Sequence, residues 1–155
     1  MKRILLVASL TLAISPLLAQ NDPWVGTWKL NVAKSRYTGT SAPKSETRTV
    51  VAQGNGYQVT YEGIAADGSR ISFSLTSNFD GKDSPISGTA PFGADTIATK
   101  RVDAYTITSV IKKAGKEIRT VVNVVSKDGK VTTQTGKGTN DQGQPISYTA
   151  VWDKQ

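Results

Sequence analysis

Asn55-Gly56-Tyr57-Gln58-Val59-Thr60-Tyr61-Glu62 opens on a turn pair and runs on as a strict alternation of aromatic or apolar with polar residues. Asp67-Gly68 follows, and Ile71-Ser72-Phe73-Ser74-Leu75-Thr76 alternates in the same way. A period of two is the mark of a strand with one face buried, and Asn-Gly and Asp-Gly supply the positive φ that tight hairpins need. The rhythm extends outward in both directions. Tyr105, Ile107, Ser109 and Ile111 alternate with Thr106, Thr108, Val110 and Lys112. Ile146, Tyr148, Ala150 and Trp152 alternate with Ser147, Thr149, Val151 and Asp153. Turn pairs recur at Asp80-Gly81, Ala114-Gly115, Asp128-Gly129 and Asn140-Asp141 with Gly143. No segment after the first twenty residues carries a sustained 3.6-residue apolar period.

About ten strands follow, near 24–30, 45–53, 57–63, 69–78, 83–88, 94–101, 104–113, 116–126, 130–138 and 145–153. Short turns between antiparallel neighbours make a meander, and a long meander protects its edges most directly by closing into a barrel. The expected fold is all-β: an antiparallel up-and-down barrel of about 8–10 strands, with a two-sheet sandwich as the alternative. Asn31 to Lys44 is long and polar, with a short helical turn expected around Val32, Lys34 and Arg36. Gly88 to Gly93 is a second break. Val121, Val122, Val124 and Val125 make one strand apolar on both faces, whereas 130–138 is apolar on neither and its register is weakly set. Arg-Thr-Val-Val occurs twice, at Arg48–Val51 and Arg119–Val122, and reads as ordinary strand composition.

The chain has 155 residues, with no His and no Cys, which fits one domain. The two zeros exclude Ser-His-Asp and Cys-His catalysis, disulfides and thiolate or imidazole metal sites. Lys2 and Arg3, the 11-residue apolar run Ile4–Ile14 and the small residue Ala19 make up a secretory signal peptide, with cleavage expected after Ala19. The expected organisation is a signal peptide at 1–19 and one barrel domain at 20–155, exported to the periplasm or beyond. The run is shorter than the ~20 residues of a membrane span. Without Lys2 and Arg3 the basic residues fall from 19 to 17 against 12 acidic ones, and the charge from +7 to +5. The charges are scattered, so no nucleic-acid partner is expected.

Motifs for chemistry are few. Ser41-Ala42-Pro43-Lys44 and Ser109-Val110-Ile111-Lys112 match Ser-x-x-Lys, but the first holds a proline and the second lies on a strand, where Ser and Lys point to opposite faces. Asn78, Asp80 and Asp83 form at most half a calcium loop, and the closing acidic ligand is missing. Asp67, Asp80 and Asp128 each precede Gly and read as turn residues. Glu46, Glu62 and Glu117 remain as the acids of predicted strands, the only basis for a carboxylate enzyme. No catalytic residue, cofactor or metal site is expected. Tyr57, Tyr61, Phe73, Tyr105, Tyr148 and Trp152 fall on inward phases and serve equally as core or as the wall of a ligand cavity.

Gly26-Thr27-Trp28-Lys29-Leu30 at the head of the meander resembles the Gly-x-Trp opening of the lipocalins and their calycin relatives. The whole stretch after residue 19, with its Gly-Thr-Trp-Lys-Leu start and Asp-Gly turns, also resembles a group of small exported bacterial proteins. The resemblance implies a barrel sealed at one end by Trp28 and a cavity for a small apolar or amphipathic molecule. It further implies a basic residue packed on that Trp, a place open to Lys154 and, as a second choice, Arg101. The lipocalin helix after the barrel and the two-helix lid of the fatty-acid-binding branch have no counterpart in the sequence. On this reading Trp28, Tyr61, Phe73, Tyr105 and Tyr148 bind the ligand, and Asn31–Lys44 covers the mouth. That reading needs a cavity of roughly 300 Å³ or more. The alternatives are a non-enzymatic envelope interaction module with a filled barrel and, as a minor one, a carboxylate enzyme.

Overall fold

Turn chemistry and alternation produce a hairpin at nearly every expected place. The computed structural model describes residues 22–155, so the signal peptide expected at 1–19 lies outside the described residues. The strands are β1 (Gly26–Leu30), β2 (Arg36–Thr38), β3 (Ser45–Gln53), β4 (Gly56–Ile64), β5 (Arg70–Ser77), β6 (Asp80–Thr89), β7 (Thr96–Arg101), β8 (Thr106–Lys113), β9 (Lys116–Val125), β10 (Val131–Thr139) and β11 (Pro145–Lys154). All pair antiparallel in the order β1-β3-β4-β5-β6-β7-β8-β9-β10-β11, and β1 pairs back onto β11 through Trp28 opposite Lys154 and Leu30 opposite Trp152. That last pairing closes a ten-strand barrel and rules out the sandwich.

The eleventh strand, β2, is the continuation of β1. A single 3-10 turn, Val32–Lys34, interrupts the first strand, capped by the Asn31 side chain accepting from the Lys34 amide at 3.1 Å. The chain then resumes along β11, with Tyr37 opposite Tyr148. Arg36 belongs to this short strand and not to the helical turn. Three residues of alternation are too few to read as a strand in sequence.

Most boundaries shift by one to three residues from the sequence reading, and two of the shifts relocate a turn or an aromatic residue. The β5–β6 turn is made at Asn78-Phe79, with Phe79 at φ 61°, and Asp80-Gly81 forms an irregular start to β6. Strand β8 begins at Thr106, so Tyr105 lies in the β7–β8 turn. Asp103 holds that turn by accepting from the Tyr105 amide at 2.7 Å. Valine placement on β9 follows from the pleat: Val121 and Val125 are buried, and Val122 and Val124 face solvent.

One end of the barrel is closed by the chain leading into β1. Trp24 donates its indole N–H to the Ala104 carbonyl, and Trp28 donates to the Trp24 carbonyl, both at 3.0 Å. Trp28 is fully buried between two cations, Lys154 Nζ at 5.0 Å and the Arg48 guanidinium at 5.6 Å from its ring. Lys154 therefore takes the place implied for a basic residue on this Trp. Arg101 packs instead on Phe79 at 4.5 Å and Tyr57 at 5.2 Å. Trp28 does not reach the cavity; the floor is Trp24, so the seal assigned to one tryptophan is made by two. Among the described residues no helix is long and apolar enough to cross a membrane.

Candidate functional site

Ten strands enclose more volume than their inward side chains fill. A cavity of about 600 Å³ runs from Trp24 at the floor to a mouth bounded by Thr40, Ser41 and Pro43, by the β4–β5 turn and by Ala90–Phe92. The filled barrel of the interaction-module alternative is not what forms. Of Asn31–Lys44 only the second half reaches the mouth, because 31–38 lie along β11.

The wall is aromatic and apolar where β4 and β5 face inward. Tyr61 stacks on Phe73 with ring centroids 4.4 Å apart and meets Trp152 edge-on at 6.1 Å. Tyr37 stacks on Tyr148 at 5.7 Å. Val59, Ile71 and Leu75 complete this side. Of the five residues expected to bind ligand, the structure brings Tyr61, Phe73 and Tyr148 into one cavity. It places Trp28 behind the floor. It also places Tyr105 outside, 39% exposed, because the strand starts one residue later than the alternation suggested.

The cavity also holds a polar set that the sequence reading missed, starting on β3 directly beside β4, where Arg48 lies opposite Tyr61 in the register. Arg48 on β3 is 4% exposed and Arg119 on β9 is 8% exposed. Arg48 donates to the Thr132 hydroxyl at 2.6 Å and lies 4.9 Å from the Trp152 ring, but its Nε–H has no partner among the described residues. Arg119 lies 4.7 Å from the Phe92 ring at the mouth, with Nε and one terminal nitrogen unpartnered. The Trp152 indole N–H is likewise unpartnered. Gln134 donates to Asn123 at 3.1 Å within the same set. Burial pushes the phenols of Tyr37, Tyr61 and Tyr148 up, so all three stay neutral.

A signal for both arginines was present. The repeated Arg-Thr-Val-Val puts Arg48 and Arg119 on the inner face, each two residues before a buried valine, Val50 or Val121. The register expected to be weakly set on β10 is continuous with both β9 and β11, and its weak apolar pattern has a related cause. Its inner face is Thr132, Gln134 and Gly136, small or polar because Arg48 and Tyr148 occupy the space over it.

The three strand acids do not converge. Glu46 lines the cavity, Glu62 pairs on the outside with Arg70 at 3.0 Å, and Glu117 is exposed beside the β8–β9 turn. The half calcium loop is spent on local contacts: Asp80 accepts from the Lys82 amide at 3.0 Å, and Asp83 pairs with Lys112 at 2.8 Å. No group of three or more acidic residues able to hold a metal ion occurs among the described residues.

No protein-family model matches the sequence, and no curated protein does. Among solved structures, the chain is similar to a crystal structure of zebrafish ileal bile acid-binding protein complexed with cholic acid. The TM-score is 0.49 and the sequences are 11% identical over 86% of this chain and 99% of that one. Cholic acid is bound by that protein.

Proposed function

We propose that this chain binds a small amphipathic molecule inside its barrel, with an acidic head group on the arginines and an apolar body along β4 and β5. One observation carries the reading: two buried arginines with unpartnered N–H donors among the described residues line a largely apolar cavity of about 600 Å³. A buried cation without an acceptor is costly, and an anion or a polar head group entering the cavity removes that cost. The volume lies within the ~300–1,000 Å³ of small-molecule sites. Binding, with no chemistry, is the reading we favour. Export by a signal peptide at residues 1–19 is part of the proposal and rests on the basic start, apolar run and Ala19 of the sequence.

The test is native mass spectrometry of protein recovered from its exporting host, before and after extraction with organic solvent. The expected result is an added mass that extraction removes, belonging to an acid with an apolar body. The denatured mass is expected to lack residues 1–19. Protein that arrives empty and then fails to take up any of a panel of amphipathic acids overturns the binding reading. A denatured mass that retains the first 19 residues overturns the export reading alone.

A further inference from the structure

Among the described residues two carboxyl groups line the cavity. Asp67 belongs to the mouth turn and is occupied, accepting from the Ser69 amide and hydroxyl at 2.8 and 2.7 Å. Glu46 stands on the inner face of β3, and among the described residues no hydrogen bond or ion pair engages its carboxyl. The groups facing it are Arg48 two residues on in β3, Tyr37 from β2, Tyr61 from β4 and Tyr148 from β11. Arg119 from β9 lies beyond Tyr148, 5.8 Å from its ring. At the mouth, Arg70 is committed to Glu62 and Lys44 lies over Gly68. The phenols stay neutral, so among the described residues Glu46 is the one acidic group that stands on the strand walls with the two arginines.

An anionic head drawn to Arg48 and Arg119 enters the low-dielectric space that Glu46 faces. Two like charges confined there repel strongly, and the carboxyl relieves the repulsion by taking a proton from solvent. Once protonated it has an O–H to donate to the incoming head group. We propose that Glu46 makes this cavity a proton-linked binder of anions, which takes up one proton on Glu46 as an anionic head enters and loses affinity as that proton becomes harder to supply. The proposal rests on the cavity being a ligand site. Burial independently pushes the Glu46 carboxyl up to about 7, with Arg48 opposing the shift, so the linkage operates near neutral pH.

The probe is decyl sulfonate, whose head group stays charged throughout, with decanol as its uncharged counterpart. Calorimetric titrations between about pH 6 and about pH 8.5, in buffers of differing ionisation enthalpy, give affinity and protons taken up. We expect the sulfonate to bind about tenfold more weakly at the upper pH, with about half a proton taken up near neutrality, where the free carboxyl is already half protonated. Decanol is expected to show neither effect. Glu46→Gln is expected to bind the sulfonate equally well at both ends of the range, with no proton uptake. A pH-independent wild type, or an unchanged slope in the variant, overturns the proposal while leaving the cavity a binding site. Failure of both probes to bind wild type and variant overturns the binding reading and this proposal with it.

Discussion

Arg48, Arg119 and Glu46 show how a strand interior accommodates charge. Each stands in an inward phase, and the two arginines are compensated there: Arg48 by Thr132 and two indole rings, Arg119 by Phe92. Glu46 has no such compensation, so its ionisation works against folding. In the unfolded chain its pKa is near 4.5, and in the barrel about 7. Below the lower value the carboxyl is protonated in both states and costs nothing. As pH rises through the upper value it is ionised in both, and the folded state bears the penalty, up to about 3 kcal/mol. Glu46→Gln is therefore expected to be more stable than wild type by up to that amount near pH 8 and to match it near pH 4, as urea titrations at the two pH values would read. A variant no more stable at pH 8 than wild type would mean that the carboxyl is better solvated than its position implies. Tyr105 makes the converse point. Its alternation with Ile107 was read as inward, yet the Asp103 turn takes it out of the strand.

At the scale of elements, β10 and β11 work as a pair. Gly136 lies opposite Tyr148, and the phenol ring packs directly over its α-carbon, so a methyl at that position would fall on the ring. Gly136→Ala is expected to push Tyr148 away from Tyr37 and Arg119 and to lower stability by about 1–3 kcal/mol. A chemical-denaturation curve measures the loss, and tyrosine fluorescence follows the displaced ring. An unchanged midpoint would show that the ring can swing aside into the cavity without cost. The mouth loop Pro91–Gly93 carries a different feature: Phe92 sits at φ 61°, a conformation disfavoured for a side chain of its size, and stacks on Arg119. Element types and turns were legible from alternation and Asp-Gly or Asn-Gly pairs, because both are local. The split of the first strand into β1 and β2 was not, since it depends on Ser35 bonding across to β11, where its hydroxyl accepts from the Val151 amide at 3.0 Å.

For the whole molecule, the closed end ties the barrel together and the other end opens the cavity. Trp28 is pinned between Lys154 from the last strand and Arg48 from its neighbour, so one side chain ties β1, β3 and β11 together where the barrel closes. Removing it leaves a large void and releases both cations from the ring. Trp28→Ala is expected to cost about 4 kcal/mol and to lower the melting temperature by roughly 15 °C, measured by circular dichroism. A drop of only a few degrees would show that Trp24 alone carries the seal. At the other end, the lining residues come from loops far apart in sequence, and the cavity between the two ends is what remains when ten inner faces meet without filling the space.

The amino-acid sequence alone determined the strand rhythm, the turn positions to within a few residues, the all-β class and the absence of thiol and imidazole chemistry. Each of these depends on the period of neighbouring residues or on composition. It also marked Tyr61, Phe73 and Tyr148 as inward-facing, because alternation assigns a face once a strand is recognised. Only the tertiary structure decided between barrel and sandwich, through the pairing of β1 with β11 across more than a hundred residues. It alone brought Arg48, Arg119 and Glu46 into one cavity, since a charged residue on an inward phase becomes a site only when strands remote in sequence supply, or fail to supply, its partners.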